Sequence, residues 1–479
     1  MSILVIDVGT SAVRAAIVHP DATVSHEARI ETLADSPAPG LVEFDAIAYA
    51  DAALDCARQV LHDHGPVEAV GISNQRASTI VWDRATGIPV APALGWQDLR
   101  TVGDCLVLAG DGFRLAPNLS ATKLAHILDQ VDPDRSRDLC FGTPDSWIIW
   151  RLTEGAHHVS DLSNAAVWGL TLGDAVHYDA TLLERLRIPA SMLPRIVDSS
   201  GPIGEATALP GAPPICGVAG DQQSSLVGQG CVTPGRAKIT FGTGGMLDMC
   251  LGARPRIDVR GHAGTFPIVC WRRGDDITWG VEAVMLSAGT NVEWLRDDLG
   301  LIDSSDESEQ VALTVPDTDG VMYVPALLGL GTPRWDYGAR GALLGLTRGS
   351  GRGHVVRAVL EGVAERGADL VEAAEHDSGV TLDSLRVDGG MSANSVFVQH
   401  LADAAQKPVE VAPVKEATTL GAGFLAGLAI GTWSGWDDLA ATWHPAATVE
   451  PGPPTDRDRW RDAVDRAAGW HTDLSSLDF

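Results

Sequence analysis

Three short glycine-bearing turns constrain this chain more than anything else in it: Asp7-Val8-Gly9-Thr10-Ser11, Phe241-Gly242-Thr243-Gly244-Gly245 and Asp388-Gly389-Gly390. Each follows a short apolar run that reads as a buried strand: Ser2 to Ile6, Arg236 to Phe241 and Leu385 to Val387. Where a glycine lacks a side chain, backbone N–H groups can approach a phosphate, and an aspartate at a strand end can face a hydrated magnesium ion. One such turn more often just joins two strands. Three in this order read as pieces of a single nucleotide-phosphate site.

A chain of 479 residues, 45% hydrophobic and 20% charged, is long enough for more than one sizeable core. Two domains are expected, residues 1–230 and 231–479. With 35 Lys plus Arg against 63 Asp plus Glu the net charge is -28, which opposes binding to nucleic acid or to an anionic membrane. A nucleotide must then be held by local donors and magnesium. Met1 leads directly into a strand without a basic and apolar leader, so a cytoplasmic location is expected. The longest apolar stretch, Leu420 to Trp433, is broken by glycines and shorter than the ~18 residues of a membrane helix, and reads as a buried helix. The 7 Cys contain no Cys-x-x-Cys pair and read as reduced core thiols.

The order of elements is that of a mixed sheet built twice. Ser2 to Ile6 and Ala12 to Val18 flank the first turn, Thr23 to Ile30 supplies a third strand, Ala46 to Leu61 has helical spacing, and Val67 to Ser73 is a strand. After the proline-rich and glycine-rich stretch Pro202 to Pro214, strand, glycine turn and strand recur as Arg236 to Phe241 and Leu247 to Leu251. Helices are expected over Val355 to Ala374, Asn394 to Gln406 and Leu420 to Ala429, a surface segment over Thr448 to Asp456, and a terminal amphipathic helix over Asp458 to Trp470.

Two echoing halves with a phosphate turn in each resemble the α/β actin-like ATPase (ribonuclease H-like) fold, in which nucleotide lies in the cleft between two domains. The segment Gly341-Ala342-Leu343-Leu344-Gly345-Leu346, followed by His354-Val355 and Ala358-Val359-Leu360-Glu361, resembles a signature of the FGGY carbohydrate kinases. Within that family the chain is similar to the glycerol kinase branch through Gly71 to Arg76, Gly95 to Asp98, Asp145 to Trp150, Gly220 to Gln223 and Thr332 to Asp336. The resemblance implies an enzyme that transfers the γ-phosphate of ATP, with magnesium, to a hydroxyl of a small polyol or sugar. It also implies a homodimer or tetramer.

The resemblance makes Asp221 the catalytic base, since phosphoryl transfer to an alcohol needs a carboxylate within reach of the attacking hydroxyl. An aspartate before Gln222-Gln223-Ser224 reads equally, on its own, as a helix N-cap. Gln75, Arg76, Trp96 and Gln222 are the implied substrate residues, Arg76 as a charge-stabilising fork and Trp96 as an apolar wall. Thr10, Ser11, Arg14 and Thr243 are implied around the distal phosphates, and Gly289, Glu293, Gly390 and Asn394 on the adenosine side. Asp7, with Asp221, is implied at the magnesium ion. Taken alone, Asn394 reads also as a helix cap and Gly289 as a tight packing point.

The pocket departs from the glycerol enzymes at four places. Ala77 stands where they carry glutamate, Asn118 where they carry tyrosine, Met246 where they carry phenylalanine, and Glu293 where they carry glutamine. Loss of a carboxylate acceptor costs about 1 to 3 kcal/mol when a buried hydroxyl is left unpaired. The freed volume at Ala77 and Asn118 implies a larger polyol or a ketose, such as xylulose or ribulose. An actin-like ATPase without kinase activity is the reading from another class.

Overall fold

The computed structural model describes residues 1–253, 260–414 and 416–477. Its frame is a pair of mixed sheets. The amino-terminal sheet runs Ser200–Glu205, Pro214–Gly220, Ala69–Asn74, Ile3–Val8, Ala12–Val18, Val24–Glu31. The carboxy-terminal sheet runs Phe266–Arg273, Asp276–Met285, Gly245–Gly252, Ala237–Phe241, Leu385–Asp388, Val409–Val411, Ala447–Val449.

The two share one plan. A central strand pairs antiparallel with the next strand through a glycine turn, Val8 opposite Val13 in one sheet and Phe241 opposite Gly245 in the other. It pairs in parallel with a much later strand, Asp7 beside Ser73 and Thr240 beside Asp388. The duplication expected from the order of elements is therefore present as topology.

Strand alternation explains why Ile3–Val8 is buried throughout. Successive side chains point to opposite faces. Leu4, Ile6 and Val8 enter a core with Tyr49, Ala50, Ala53 and Ala57 of the helix Ala46–His64. Ile3 and Val5 enter a different core with Leu420, Ala422 and Leu425 of the helix Ala417–Ile430. That second helix comes from late in the chain yet packs on the amino-terminal sheet. Glycines of the helix and of the strands beneath it allow this: a Cβ on Gly421 of the helix would collide with the backbone of Ser224, and one on Gly71 or Gly217 of the strands would collide with the backbone at Ala422 or Ala426. A helix apolar on all sides has to be covered on all sides.

Most of the expected elements occur within a few residues of their expected ends. The helices Arg352–Ser378 and Ser395–Ala405 and the terminal helix Arg457–Ala467 are examples. One expectation changes, that for the segment from Thr448, and the proline-rich stretch proves to carry strand. The stretch Pro202 to Pro214 contains most of an edge strand, Ser200–Glu205, and the start of the next, Pro214–Gly220. Proline is tolerated there because an edge strand needs ladder bonds on one side only, and a first residue needs few. The segment from Thr448 begins inside Ala447–Val449, which closes the far edge of the carboxy-terminal sheet. Among the described residues no helix is long and apolar enough to cross a membrane.

Candidate active site

Strand Pro214–Gly220 ends at the cleft and delivers the helix Asp221–Gly228. Gly220 occupies the cap position without a side-chain cap bond, so Asp221 is the first helical residue and not the N-cap. Its Oδ1 accepts from the Gln222 backbone N–H at 2.8 Å and lies 3.6 Å from Arg76 Nε. Oδ2 takes no hydrogen bond among the described residues. Burial raises the Asp221 pKa, while the charges of Arg76 and Lys238 hold it down. The helix end itself favours the ionised form. The helix is seated by glycine contacts: a Cβ on Gly228 would collide with the Ala417 carbonyl.

A chain of hydrogen bonds ties the first glycine turn to the loop after Ala69–Asn74. Trp96 Nε1 donates to Thr10 Oγ1 at 3.2 Å, Thr10 Oγ1 donates to Gln75 Oε1 at 3.1 Å, and Gln75 Nε2 donates to Tyr49 Oη at 2.7 Å. Tyr49 Oη in turn donates to the Gly9 carbonyl at 2.7 Å. Gln75 is thus a strut of the loop with both ends of its amide engaged. Trp96 is held from behind as well. The buried Lys123 ammonium donates to the carbonyls of Gly95, Trp96 and Asn118 at 2.8, 3.1 and 3.0 Å. Asn118 spends its amide N–H on the Trp96 carbonyl at 3.2 Å. Its new polar group therefore braces the Trp96 loop.

Arg76 spans the cleft. Nη2 pairs with Glu282 Oε2 of the carboxy-terminal sheet at 2.6 Å, while Nη1 is buried without a partner among the described residues. Ala77 follows in the left-handed region, φ 59, and is buried. A β-carbon at that φ carries strain of the kind found beside functional sites. On the facing sheet Met246, Asp248, Glu282, Lys238 and Thr240 share one face by register, Lys238 opposite Asp248 and Asp248 opposite Glu282. Lys238 Nζ is fully buried, lies 2.8 Å from Asp248 Oδ2, and donates to Gln222 Oε1 at 2.7 Å.

The sequence motifs do not include Tyr49, Lys123, Lys238, Asp248 or Glu282. For three of these a signal exists in the sequence. Lys238 and Thr240 put polar groups at period two in an otherwise apolar strand, and Asp248 and Glu282 do the same in theirs. Polar residues on a strand face that meets another layer have to face a partner.

On the phosphate side, Asp7 is 7% exposed, with Arg14 at 3.9 Å. Burial above all pushes its carboxyl up to about 7, Arg14 pulls it back, and the Asp221 charge adds to the rise. Thr10 is half-buried, Ser11 and Thr243 are exposed at their turns, and Gly289 packs so close that a Cβ would stand 2.6 Å from the Gly242 carbonyl. Gly289 thus ties the second glycine turn to the start of the helix Thr290–Asp297. Glu293 is exposed on that helix. Gly390 faces open space, its Cβ position having nothing within 4 Å. Asn394 caps the helix Ser395–Ala405, accepting from the Phe397 N–H at 3.1 Å and donating to Ser308 Oγ at 3.2 Å.

Comparison with known proteins points to one family. The N-terminal domain of the FGGY family of carbohydrate kinases matches residues 2–228 and its C-terminal domain matches residues 237–430. Two similar relatives are the glycerol kinases of Aromatoleum aromaticum, 42% identical over 98% of this chain and 99% of that one, and of Trichlorobacter lovleyi, 43% identical with the same coverage. Among solved structures, the glycerol kinase of Plasmodium falciparum with ADP superposes with a TM-score of 0.90 at 29% identity, covering 97% of this chain and 98% of that chain. A xylulose kinase from Lactobacillus acidophilus shares the fold, with a TM-score of 0.87 at 20% identity over 99% of this chain and 98% of that chain.

Proposed function

The chain belongs to the FGGY family of carbohydrate kinases, phosphotransferases by reaction, and from that premise we propose that it phosphorylates a small polyol with ATP in the cleft between its two sheets. The observation that carries this reading is Asp221, a half-buried carboxylate at a helix start with one oxygen bonded and the other without a hydrogen bond among the described residues, beside a cleft-spanning arginine.

In this reading the acceptor hydroxyl gives its proton to Asp221 Oδ2 as its oxygen attacks the γ-phosphorus, and the bond from that phosphorus to the β,γ-bridging oxygen breaks as ADP leaves. Arg76 Nε, 3.6 Å from Asp221 Oδ1, is the donor placed to meet either the polyol or the developing charge. Trp96 supplies the apolar wall, held by Thr10 in front and Lys123 behind. The Gly9 and Gly242 turns approach the triphosphate from opposite sheets, and the bare backbone at Gly390 leaves room for the nucleoside.

Magnesium fits the residues on the phosphate side. Asp7 is a buried carboxylate only partly answered by Arg14 and opposed by Asp221, and magnesium is commonly bound by one or two carboxylates together with substrate phosphates. The ion when bound neutralises charge on the transferring phosphates. Asp7 would hold it, with Asp221 nearby.

We further read the acceptor as a polyol or ketose with more carbons than glycerol. Ala77 and Met246 leave space where the glycerol branch carries larger side chains. A coupled assay of ADP release against glycerol and a panel of four-carbon to six-carbon polyols and ketoses tests both levels. Polyol-dependent release supports the kinase, and equal release without any acceptor removes it. A clear preference for glycerol removes the larger acceptor alone.

A further inference from the structure

Two side chains flank Asp221 on the amino-terminal side, Arg76 and Gln222, and each is gripped by a residue of the opposite sheet. We propose that Glu282 and Lys238 are positioning residues, which reach across the cleft to turn Arg76 and Gln222 so that both present a donor beside the Asp221 carboxylate. The inference rests on the kinase reading above and adds to it a set of groups that recognises two neighbouring hydroxyls.

The argument is one of donors and acceptors. An ammonium only donates, so Gln222 must offer Lys238 its amide oxygen, as the 2.7 Å contact to Oε1 records. Its NH2 is then left for an acceptor elsewhere. A carboxylate only accepts, so Glu282 occupies Arg76 Nη2 at 2.6 Å and sets the guanidinium with its Nε 3.6 Å from Asp221 Oδ1. The result is two donors, Arg76 Nε and Gln222 Nε2, beside one acceptor, the Asp221 carboxylate. A vicinal diol matches that set: one hydroxyl donates to Asp221 and keeps a lone pair for phosphorus, and its neighbour accepts from the arginine and the amide. Without the opposite sheet, the Gln222 amide is free to turn over and Arg76 has only the Asp221 contact at 3.6 Å.

The grip is itself fixed. Lys238 is fully buried, donates also to Thr240 Oγ1 at 3.0 Å, and is paired with a fully buried Asp248. Asp248 stands in register opposite both Lys238 and Glu282. One short row of three strands thus holds Lys238, Asp248 and Glu282 side by side. Because they belong to one sheet and their targets to the other, the acceptor site is complete only when the two faces meet. That arrangement favours phosphoryl transfer to alcohol over transfer to water in an open cleft.

The test uses the full chain with Glu282→Gln and Lys238→Met, each assayed for kcat and polyol KM, with ADP affinity by calorimetry and unfolding by thermal melting. Loss of the grip is expected to raise polyol KM and lower kcat, together by about ten- to a hundredfold in kcat/KM, with ADP affinity within about twofold and cooperative melting retained. A folded Glu282→Gln with polyol kcat/KM within about twofold of the parent overturns the proposal, as does a fall in ADP affinity that keeps step with the fall in polyol affinity. Lys238→Met leaves Asp248 buried without its cation; if it fails to fold, the Lys238→Met, Asp248→Leu pair removes both charges and is judged by the same criteria. A parent enzyme with no acceptor-dependent ADP release would instead sink the kinase reading, which separates the two failures.

Discussion

The two halves of the cleft are built on one topology but carry their chemistry differently. In the amino-terminal sheet the central strand brings a carboxylate and its parallel neighbour a hydroxyl, Asp7 beside Ser73. In the carboxy-terminal sheet the pair is exchanged, Thr240 beside Asp388. Asp7 and Asp388 are equally buried, each 7% exposed. What separates them is the company they keep. Asp388 lies in the field of the buried Lys238, whereas Asp7 has the half-exposed Arg14 on one side and the repelling charge of Asp221 on the other. The duplicated fold therefore sets one buried carboxylate in the field of a buried lysine and the other beside a half-exposed arginine. In the proposed reading the amino half does the chemistry and the carboxy half holds and aligns.

The largest expected effect tests that division at its centre. Asp221→Asn keeps the shape and removes the proton acceptor, so kcat should fall by about 10²- to 10⁴-fold while ADP binding, measured by calorimetry, stays within about twofold. Unchanged turnover would move the base elsewhere. Next comes the direct comparison of Asp7→Asn with Asp388→Asn. The first should cost roughly 10²-fold in magnesium-dependent turnover and shift the magnesium optimum upward; the second should act mainly on melting temperature, with turnover within about fivefold. Equal losses of turnover would make the two halves equivalent.

Burial raises the pKa of both carboxylates, and Asp7 gives the pH test. Asp7 has its pKa raised to about 7, against about 3.9 for an unfolded aspartate. The folded chain therefore binds this proton more tightly than the unfolded one. Its contribution is fully present below about pH 4 and is lost as pH rises through about 7, amounting to at most about 4 kcal/mol. Without ligands, the gap in melting temperature between Asp7→Asn and the parent should accordingly widen in favour of the variant from pH 5 to pH 8. Magnesium with nucleotide should narrow it by giving the parent's ionised carboxylate a counter-charge. A gap independent of pH would mean that Asp7 ionises freely in the fold.

Much of the fold was legible because its strands are short apolar runs closed by glycines, and the central strand of each sheet, with its turn, carries a strong local pattern. The helix Ala417–Ile430 was legible as a helix but not as part of the amino-terminal layer, since its composition is apolar on every side and selects no face. Asp221, Arg76 and Trp96 could be named through family segments. Glu282 and Lys238 could not, because their roles come from register: a strand residue acquires a partner across the cleft only once two sheets are set face to face. Asn118, read as a contact for substrate, has a structural task as well, since one of its amide N–H groups bonds the Trp96 carbonyl.

The smallest effect concerns the loops that leave the two parallel neighbours. After Ala69–Asn74 the chain runs on into Gln75, Arg76 and Ala77, a loop of side chains that the proposal gives to the alcohol; after Leu385–Asp388 it runs into Gly389 and Gly390, a loop of bare backbone that the proposal gives to the nucleoside. The two glycines are bare for different reasons. Gly389 has φ 87, and a Cβ there would collide with the Phe241 backbone, so it serves the fold. Gly390 meets nothing, and in the proposed reading that openness leaves room for the nucleoside. Gly390→Ala should then leave the melting temperature unchanged and raise the KM for ATP by about two- to fivefold, with the polyol KM unmoved. Gly389→Ala should do the reverse, lowering stability by about 1 to 3 kcal/mol in denaturant titration. If Gly390→Ala instead changes the polyol KM, the carboxy half reaches further into the acceptor site than its bare turn implies.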